Sequence, residues 1–410
     1  MGSRGRSPRL GSDFGKLWAA NLATNIADGV AMAAGPLLAI SLTGNPTLIA
    51  GTVFVQQLPW LLFSLISGVY VDRLDRRKLI AVVDLLRGVV IGGLAIAVWS
   101  GVATIAVVYL AFFLVGTAET LADNASGALL PSIVGAEALP RANARLIATQ
   151  QVADELAAPP LGAALFALGT ALPFGVNAAG FVVAALLVST IRGGGRTGPV
   201  ERRPLRAEIG EGLRWLWHNQ VVRMLALSIC AMNVTLLAAF AILVLYARER
   251  LGLAEIGFGL LLSAMAVGGL IGAGIASRLR HRFTDSVLLR TGLIVETGTH
   301  VLLALAETPW LAVATLVLFG MHGAIWGVVA TTWRQRVVPE HLRGRVNSVY
   351  LLFAVGGAAL GSLVSGPLVS AFDVTAPFWL SAVLMAVVTA VAWPYFGRHL
   401  LARPGALSGA

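Results

Sequence analysis

The chain has 410 residues, 57% of them hydrophobic and only 12% charged, with a formal net charge of +10. An ordinary soluble domain carries about 25% charged residues, so a water-soluble fold of this length is excluded and lipid is the solvent that fits. The positive charge is no nucleic-acid footprint, because the basic residues form no patch and sit in short polar breaks between apolar stretches.

Crossing about 30 Å of hydrocarbon takes roughly 20 mainly apolar residues. Taken in chain order, the stretches that meet this are 17–42, 49–71, 79–99, 102–123, 144–168 and 173–191, then 223–246, 255–277, 287–306, 309–333, 346–371 and 376–396. The expectation is an all-α integral membrane protein of twelve transmembrane helices. The first run is too long for a signal-peptide core and has no clear cleavage site. Turn chemistry marks the breaks, as at Gly44-Asn45-Pro46, Ser100-Gly101, Gly169-Thr170 and Thr308-Pro309. Residues 1–16 read as a basic tail, 17–191 and 223–396 as two six-helix bundles, and 397–410 as a second tail. Between the bundles, 192–222 opens on a flexible Arg192–Arg196 stretch. It continues with an apolar stripe of Leu205, Ile209, Leu213 and Leu216 beside Trp215 and Trp217. Such a helix either lies in the membrane interface or packs under the bundle.

Of the 30 Lys and Arg, all but Arg87, Arg248 and Arg250 fall in the breaks or helix ends on one side. The positive-inside rule therefore puts both termini in the cytoplasm. The lone Cys230 sits in an apolar stretch, so no disulfide, zinc spacing or redox pair is available.

The halves echo each other. Glu137, Leu139, Arg141 and Asn143 after the fourth span return as Glu340, Leu342, Arg345 and Asn347 after the tenth. The basic run Arg73–Arg77 after the second span returns as Arg278–Arg282 after the eighth. Two parallel six-helix pseudo-repeats are an architecture of secondary transporters.

The stretch Gly68, Asp72, Arg73, Asp75, Arg76 and Arg77 resembles the signature loop between the second and third helices of the major facilitator superfamily. The second half keeps only the basic part, with Ala273 and Ser277 at the Gly and Asp positions. Further stretches resemble the macrolide- and siderophore-exporter-like, drug:proton antiporter branch. These are Asn25–Asp28, Leu130-Pro131 with Arg141 to Asn143, Leu245–Arg248 with Leu251-Gly252, and Val338–Glu340 with Arg343–Arg345. The resemblance implies the major facilitator fold in a cell inner or plasma membrane. It also implies a small-molecule substrate, protons as the driving partner in place of a cofactor, no nucleic acid, and function as a monomer in the bilayer. The resemblance to the superfamily implies that the signature loop (Gly68, Asp72, Arg73, Arg76, Arg77) latches the two halves on the cytoplasmic side in one state; topology signalling alone would explain Arg76 and Arg77 but not Gly68 and Asp72. Two departures stand out. The fifth helix carries Ala158-Pro159-Pro160-Leu161-Gly162 in place of the usual Gly-Pro pattern. The fourth has no Arg, but Glu119 and Asp123.

Ionisable side chains inside a span face a cavity, pair with each other or mark an ion path. Asn21, Asn25 and Asp28 share one face of the first helix. That face suits a cavity wall, and Asp28 is the leading candidate for carrying a proton. Glu119, Asp154 and Glu155 are further proton-coupling candidates. Adjacent residues on a helix diverge by about 100°, so at most one of Asp154 and Glu155 faces the pathway. Glu119 and Asp123, one turn apart near the end of the fourth span, are placed to pair with basic loop residues or to gate. Asp84 and Arg87, at i and i+3, are expected to form a local intramembrane ion pair. Asn233, His322 and Trp326 complete the substrate-cavity candidates, and Glu296 with His300 reads as a mutual pair. Small-residue pairs (Ser64/Gly68, Ala158/Gly162, Gly268/Gly272, Gly357/Gly361) lie on helices that, by the resemblance, form the contact between the halves.

Neither a Walker loop nor a nucleophile–base or metal set is present, so an enzyme is not expected. Proton-coupled efflux of amphipathic small molecules is the leading expectation. The alternatives are a dedicated exporter or importer of one metabolite, such as a siderophore, and a non-transporting membrane receptor or scaffold.

Overall fold

The computed structural model describes residues 10–71, 74–193 and 205–398, with side chains except at 64–66, 68–70, 205–207 and 398. The tail residues Arg4, Arg6 and Arg9, the signature residues Asp72 and Arg73, the linker start 194–204 and the C-terminal tail from 399 onward lie outside the described residues.

Among the described residues the structure is helical. In hydrocarbon a backbone N–H or C=O has no water to bond, so a spanning segment satisfies its polar groups within itself. The first-half helices are α1 (Gly11–Leu42), α2 (Pro46–Val71), α3 (Arg76–Trp99), α4 (Ile105–Ile133), α5 (Leu139–Thr149), α6 (Ala158–Leu168) and α7 (Leu172–Ser189). Next come α8 (Leu205–His218), α9 (Gln220–Ala241), α10 (Leu243–Glu249), α11 (Glu255–Arg282), α12 (Asp285–Leu305), α13 (Pro309–Val337), α14 (Arg343–Ala371) and α15 (Ala376–Arg398). Among the described residues, eleven helices are long and apolar enough to cross a membrane. α5, a π-helical stretch Gln150–Ala157, and α6 follow one another without a break over 139–168, where the fifth span was expected.

Local chemistry sets the ends. Asp75, Thr104, Asn219 and Thr284 cap α3, α4, α9 and α12 by accepting from the amides of Lys78, Val107, Val222 and Val287. Gly101 turns the chain between α3 and α4 at φ +74°, a conformation that favours glycine.

The fifth crossing departs from a plain helix for a stated reason. Pro159 and Pro160 offer no backbone N–H. Ahead of them the ladder widens by one residue, and the Ala158 amide donates to Ala153 five residues back. The seventh crossing is not the single helix expected over 223–246. It breaks at Ile242, between α9 and α10, and the following turn is held where Tyr246 Oη donates to the Leu303 carbonyl at 2.7 Å. No Gly or Pro marks that break.

Contacts divide the chain into two units, Met1–Leu38 with Leu58–Val200, and Ala39–Gln57 with Glu201–Ala410. In the first unit α3 packs against α4 and α7. Its core includes Phe14, Leu17, Ile80, Leu129 and Val188. In the second, α9 packs on α14 and α15, α11 on α13, and α12 on α13 and α15, around Leu225, Leu289, Trp326 and Phe396. Val89, Ile96, Leu110, Leu186 and Val383 are more than half exposed, which only lipid rewards. α8 lays one face on the second unit. Leu216 is fully buried, and Glu211 Oε2 accepts from Arg345 Nη1 at 2.6 Å.

Three of the four small-residue pairs meet a helix of their own unit, while the side chains of Ser64 and Gly68 lie outside the described residues. A methyl at Gly162 would strike the Val30 carbonyl, so this glycine seats α6 on α1. Gly268 and Gly272 admit the backbone of Val317 and Met321, joining α11 to α13. Gly357 and Gly361 admit Cys230 and Val234, joining α14 to α9. These are contacts inside each unit, where close backbone approach raises dispersion contact in a medium that gives no hydrophobic drive. Spacing alone shows that a face is small, not which helix it meets.

Candidate functional site

The first unit holds a cavity of about 230 Å³ walled by polar side chains. α1 contributes Asn21, Thr24, Asn25 and Asp28; α3 contributes Asp84 and Arg87; α4 contributes Glu119, Asp123 and Ser126; and the π-helical stretch contributes Gln150 and Asp154. The α1 stripe follows from helical period, and Asn25 Nδ2 donates to Asn21 Oδ1 at 3.0 Å along it. Gly29, next to Asp28, lets the Asp154 backbone come close, since a methyl there would strike the Asp154 carbonyl oxygen.

Arg87 is the hub. Its Nη2 donates to Asp28 Oδ1 at 2.8 Å, and its Nη1 lies 3.6 Å from Asp84 Oδ1. Its guanidinium carbon sits 4.0 Å from the centroid of the Phe181 ring on α7, a cation–π contact that replaces part of the lost hydration. Arg87 is 2% exposed, whereas Asp28 is 31% exposed. The carboxylate is thus the wetted end of the pair. Five carboxyl groups (Asp28, Asp84, Glu119, Asp123, Asp154) and one guanidinium line the same space.

The second unit buries a separate polar cluster. Glu296 on α12 is 1% exposed; its Oε2 lies 2.8 Å from His322 Nε2 on α13, and its Oε1 lies 3.5 Å from His300 Nε2. The Thr235 hydroxyl on α9 donates to Glu296 Oε1 at 3.3 Å. A buried carboxylate survives only when paired and hydrogen-bonded; here the His322 imidazole and the Thr235 hydroxyl supply the hydrogen bonds, with the His300 ring alongside.

The transmembrane secretion effector family model matches residues 6–396. The chain belongs to that family, within the major facilitator superfamily. Among curated relatives, the multidrug efflux pump Tap of Mycolicibacterium fortuitum is 28% identical over 387 residues, covering 91% of this chain and 93% of the pump. The enterobactin exporter EntS of Shigella boydii serotype 18 is 28% identical over 327 residues, 78% of this chain and 75% of the exporter. Solved structures share the fold. The nucleoside transporter NupG, in a mutant form, superposes with a TM-score of 0.79 at 12% identity over 94% of this chain and all of that one. A bacterial homologue of the iron transporter ferroportin, in an inward-facing state, gives 0.75 at 20% identity over 94% and 99%. This secretion-effector chain is a membrane transporter and not an enzyme.

In this family member most of the expected proton and cavity residues fall into two cavities, and Glu155 and Asn233 lie in neither. Asn21, Asn25, Asp28, Asp84, Arg87, Glu119 and Asp154 share the first-unit cavity, whereas Glu155 is exposed and not part of its wall. His322 and Trp326 line a different, apolar cavity in the second unit. Asn233 lines neither; its Nδ2 donates to the Ile229 carbonyl of its own helix at 2.9 Å. The expected Asp84–Arg87 and Glu296–His300 pairs are both present, each beside a shorter contact to another helix, and the placement of Glu119 and Asp123 is corrected. Arg87 forms its short contact with Asp28 on another helix, and Asp84 is the longer partner, because the long guanidinium reaches across to α1. Glu296 takes its short contact from His322 and not from His300. Glu119 and Asp123 are not at a helix end, since α4 continues to Ile133, and among the described residues neither is ion-paired to a basic loop residue.

Of the signature loop, Gly68 lies in α2. Arg76 Nη1 donates to the Ala128 carbonyl at 3.0 Å, and Arg77 Nη1 to the Ile191 carbonyl at 2.6 Å. Arg76 therefore ties α3 to the last turns of α4, and Arg77 ties it to the chain just after α7, both within the first unit. The sequence reading missed Gln150, Thr24 and Ser126. Thr24 lies on the Asn21–Asp28 stripe and was legible there. Gln150 opens the π-helical stretch, one turn before Asp154 on the same wall.

Proposed function

We propose that this transporter is a secondary active exporter of amphipathic small molecules, driven by proton entry through alternating access. The carrying observation is the charge balance of the first-unit cavity: five carboxyls face one guanidinium. Such an excess of negative charge in a low-dielectric space is unsustainable bare. Bound protons or a cationic solute balance it, so uptake of one displaces the other. In this reading Asp28 exchanges the proton. When Asp28 is ionised, it holds Arg87 at 2.8 Å; when it is protonated, Arg87 is left to Asp84 and the charge of the cavity changes. Glu119 and Asp154 are the further proton carriers on the wall. Both termini and the linker 192–222 face the cytoplasm, the bundles are 17–191 and 223–396, and the monomer is the working unit in the cell membrane.

The likeness to Tap favours a broad set of drug-like substrates, and the likeness to EntS favours the second reading, export of one metabolite of siderophore type. Efflux of a panel of dyes and antibiotics from cells expressing the chain, with and without an uncoupler, tests both. Export of several compounds that stops with the uncoupler is the expected result. Export that ignores the uncoupler removes proton coupling, and export confined to a single metabolite selects the second reading. No export of any compound leaves a receptor or scaffold role.

A further inference from the structure

The second unit carries two adjoining cavities outside the site described above. The first, of about 250 Å³, lies between α11, α12 and α13 and is lined almost wholly by apolar side chains. Its outer end is formed by Phe283 and Val287, 44% and 45% exposed; its inner end is closed by His322 and Trp326, 5% and 3% exposed. Gly292 keeps the inner end open, because a methyl there would sit 3.0 Å from Trp326 and 3.1 Å from His322. The second cavity, of about 390 Å³, is polar and basic, with Arg280, His281 and Arg336 on its wall and Asp285 as its one acid. Phe283 belongs to both.

A water-filled apolar pocket beside lipid is unfavourable, and a hydrocarbon chain is the occupant its lining fits. A basic pocket at the polar end of membrane helices fits a phosphate headgroup. One residue joins the two, so one amphipathic molecule spans both. Arg280 is already oriented, its Nε donating to Asp285 Oδ1 and its Nη1 to Thr332 Oγ1, each at 3.2 Å. Arg336 and His281 are exposed.

We propose that the α11–α12–α13 face of the second unit binds one anionic phospholipid, its phosphate between Arg280, His281 and Arg336 and one acyl chain in the apolar cavity that ends at His322. The charge selects an anionic over a zwitterionic headgroup, and the depth of the cleft selects a chain over a free phosphate. The site does not depend on what is transported.

Native mass spectrometry of the detergent-purified full chain, with added phosphatidylglycerol or phosphatidylcholine, tests this. One phosphatidylglycerol is retained in preference to phosphatidylcholine. Arg336→Gln, at an exposed position, lowers that preference about fivefold, the weight of one basic residue near a lipid surface. Thr291→Phe, which plugs the cleft from its exposed wall, removes retention of both lipids. Equal retention of the two lipids overturns the proposal, as does retention unchanged by both variants. Competition by glycerol 3-phosphate at the lipid's own concentration overturns it too, since a free phosphate would then be the ligand.

Discussion

Removing the cation from the first-unit cavity has a calculable consequence. Arg87→Gln leaves the polar group but takes away the charge that holds Asp28 at 2.8 Å and Asp84 at 3.6 Å, and with it the stacking on Phe181. Breaking a fully buried pair by deleting one partner costs about 3–5 kcal/mol; Asp84 is buried but Asp28 is partly wetted, so Arg87→Gln should lower unfolding free energy in mixed micelles by up to that order. The partners then separate by distance. Coulomb attraction falls as 1/r, so the Asp84 contact carries about four-fifths of the Asp28 attraction, and only Asp28 adds a short hydrogen bond. Double-mutant cycles read the difference. Arg87→Gln with Asp28→Asn should show coupling above about 2 kcal/mol, and Arg87→Gln with Asp84→Asn a smaller value. Arg87→Lys should recover only part of the loss, because an ammonium neither forks between two carboxylates nor stacks as well on Phe181. Additive effects of Arg87→Gln and Asp28→Asn would refute the hub.

Further outcomes follow from the packing. Gly268→Val and Gly361→Val should each destabilise by about 1–3 kcal/mol or more through overpacking, while Gly274→Ala, with open space around it, should leave the unfolding midpoint unchanged. If these glycines served only as sliding surfaces, the two Val variants would keep stability and lose export. Replacing both Pro159 and Pro160 by Ala should let the π-helical stretch relax by one residue, turning Asp154 by about 100° off the cavity wall. Export should fall severalfold with no loss of thermal stability, and slower hydrogen exchange over 150–157 would report the relaxation. In the loop before α15, the Thr375 hydroxyl and amide, each 2.6 Å from Asp373 Oδ1, hold the Asp373 carboxyl below the usual carboxylate range. A depressed value stabilises above about pH 4 and is lost as pH falls through the folded pKa. Hydrogen exchange at Thr375 and Ala376 should therefore rise in acid, and Asp373→Asn should remove that dependence.

Residues whose meaning is carried along one helix were legible in the sequence. Hydropathy placed the spans, and the Asn21–Asp28 stripe follows from helical period, so its common face was readable before any partner was known. The failures concern partners across space. Arg87 has an acid one turn away in Asp84, yet its side chain is long enough to prefer Asp28 on α1. Glu296 has His300 on its own helix, yet His322 of α13 comes closer. Glycine spacing announced close backbone approach but carried no label for the approaching helix. The π-helical stretch was not read from the sequence, although Pro159-Pro160 removes two donors from the ladder just after it, and the break at Ile242 has no breaker residue to announce it.

The most direct measurement is transport by the purified chain in proteoliposomes with an imposed pH gradient, comparing the native protein with Asp28→Asn. The account predicts that the native chain concentrates a transported dye against its gradient while protons move the other way. It predicts that Asp28→Asn still exchanges dye across the membrane but no longer concentrates it. Accumulation that is the same with and without the pH gradient, or full gradient-driven accumulation by Asp28→Asn, would contradict it.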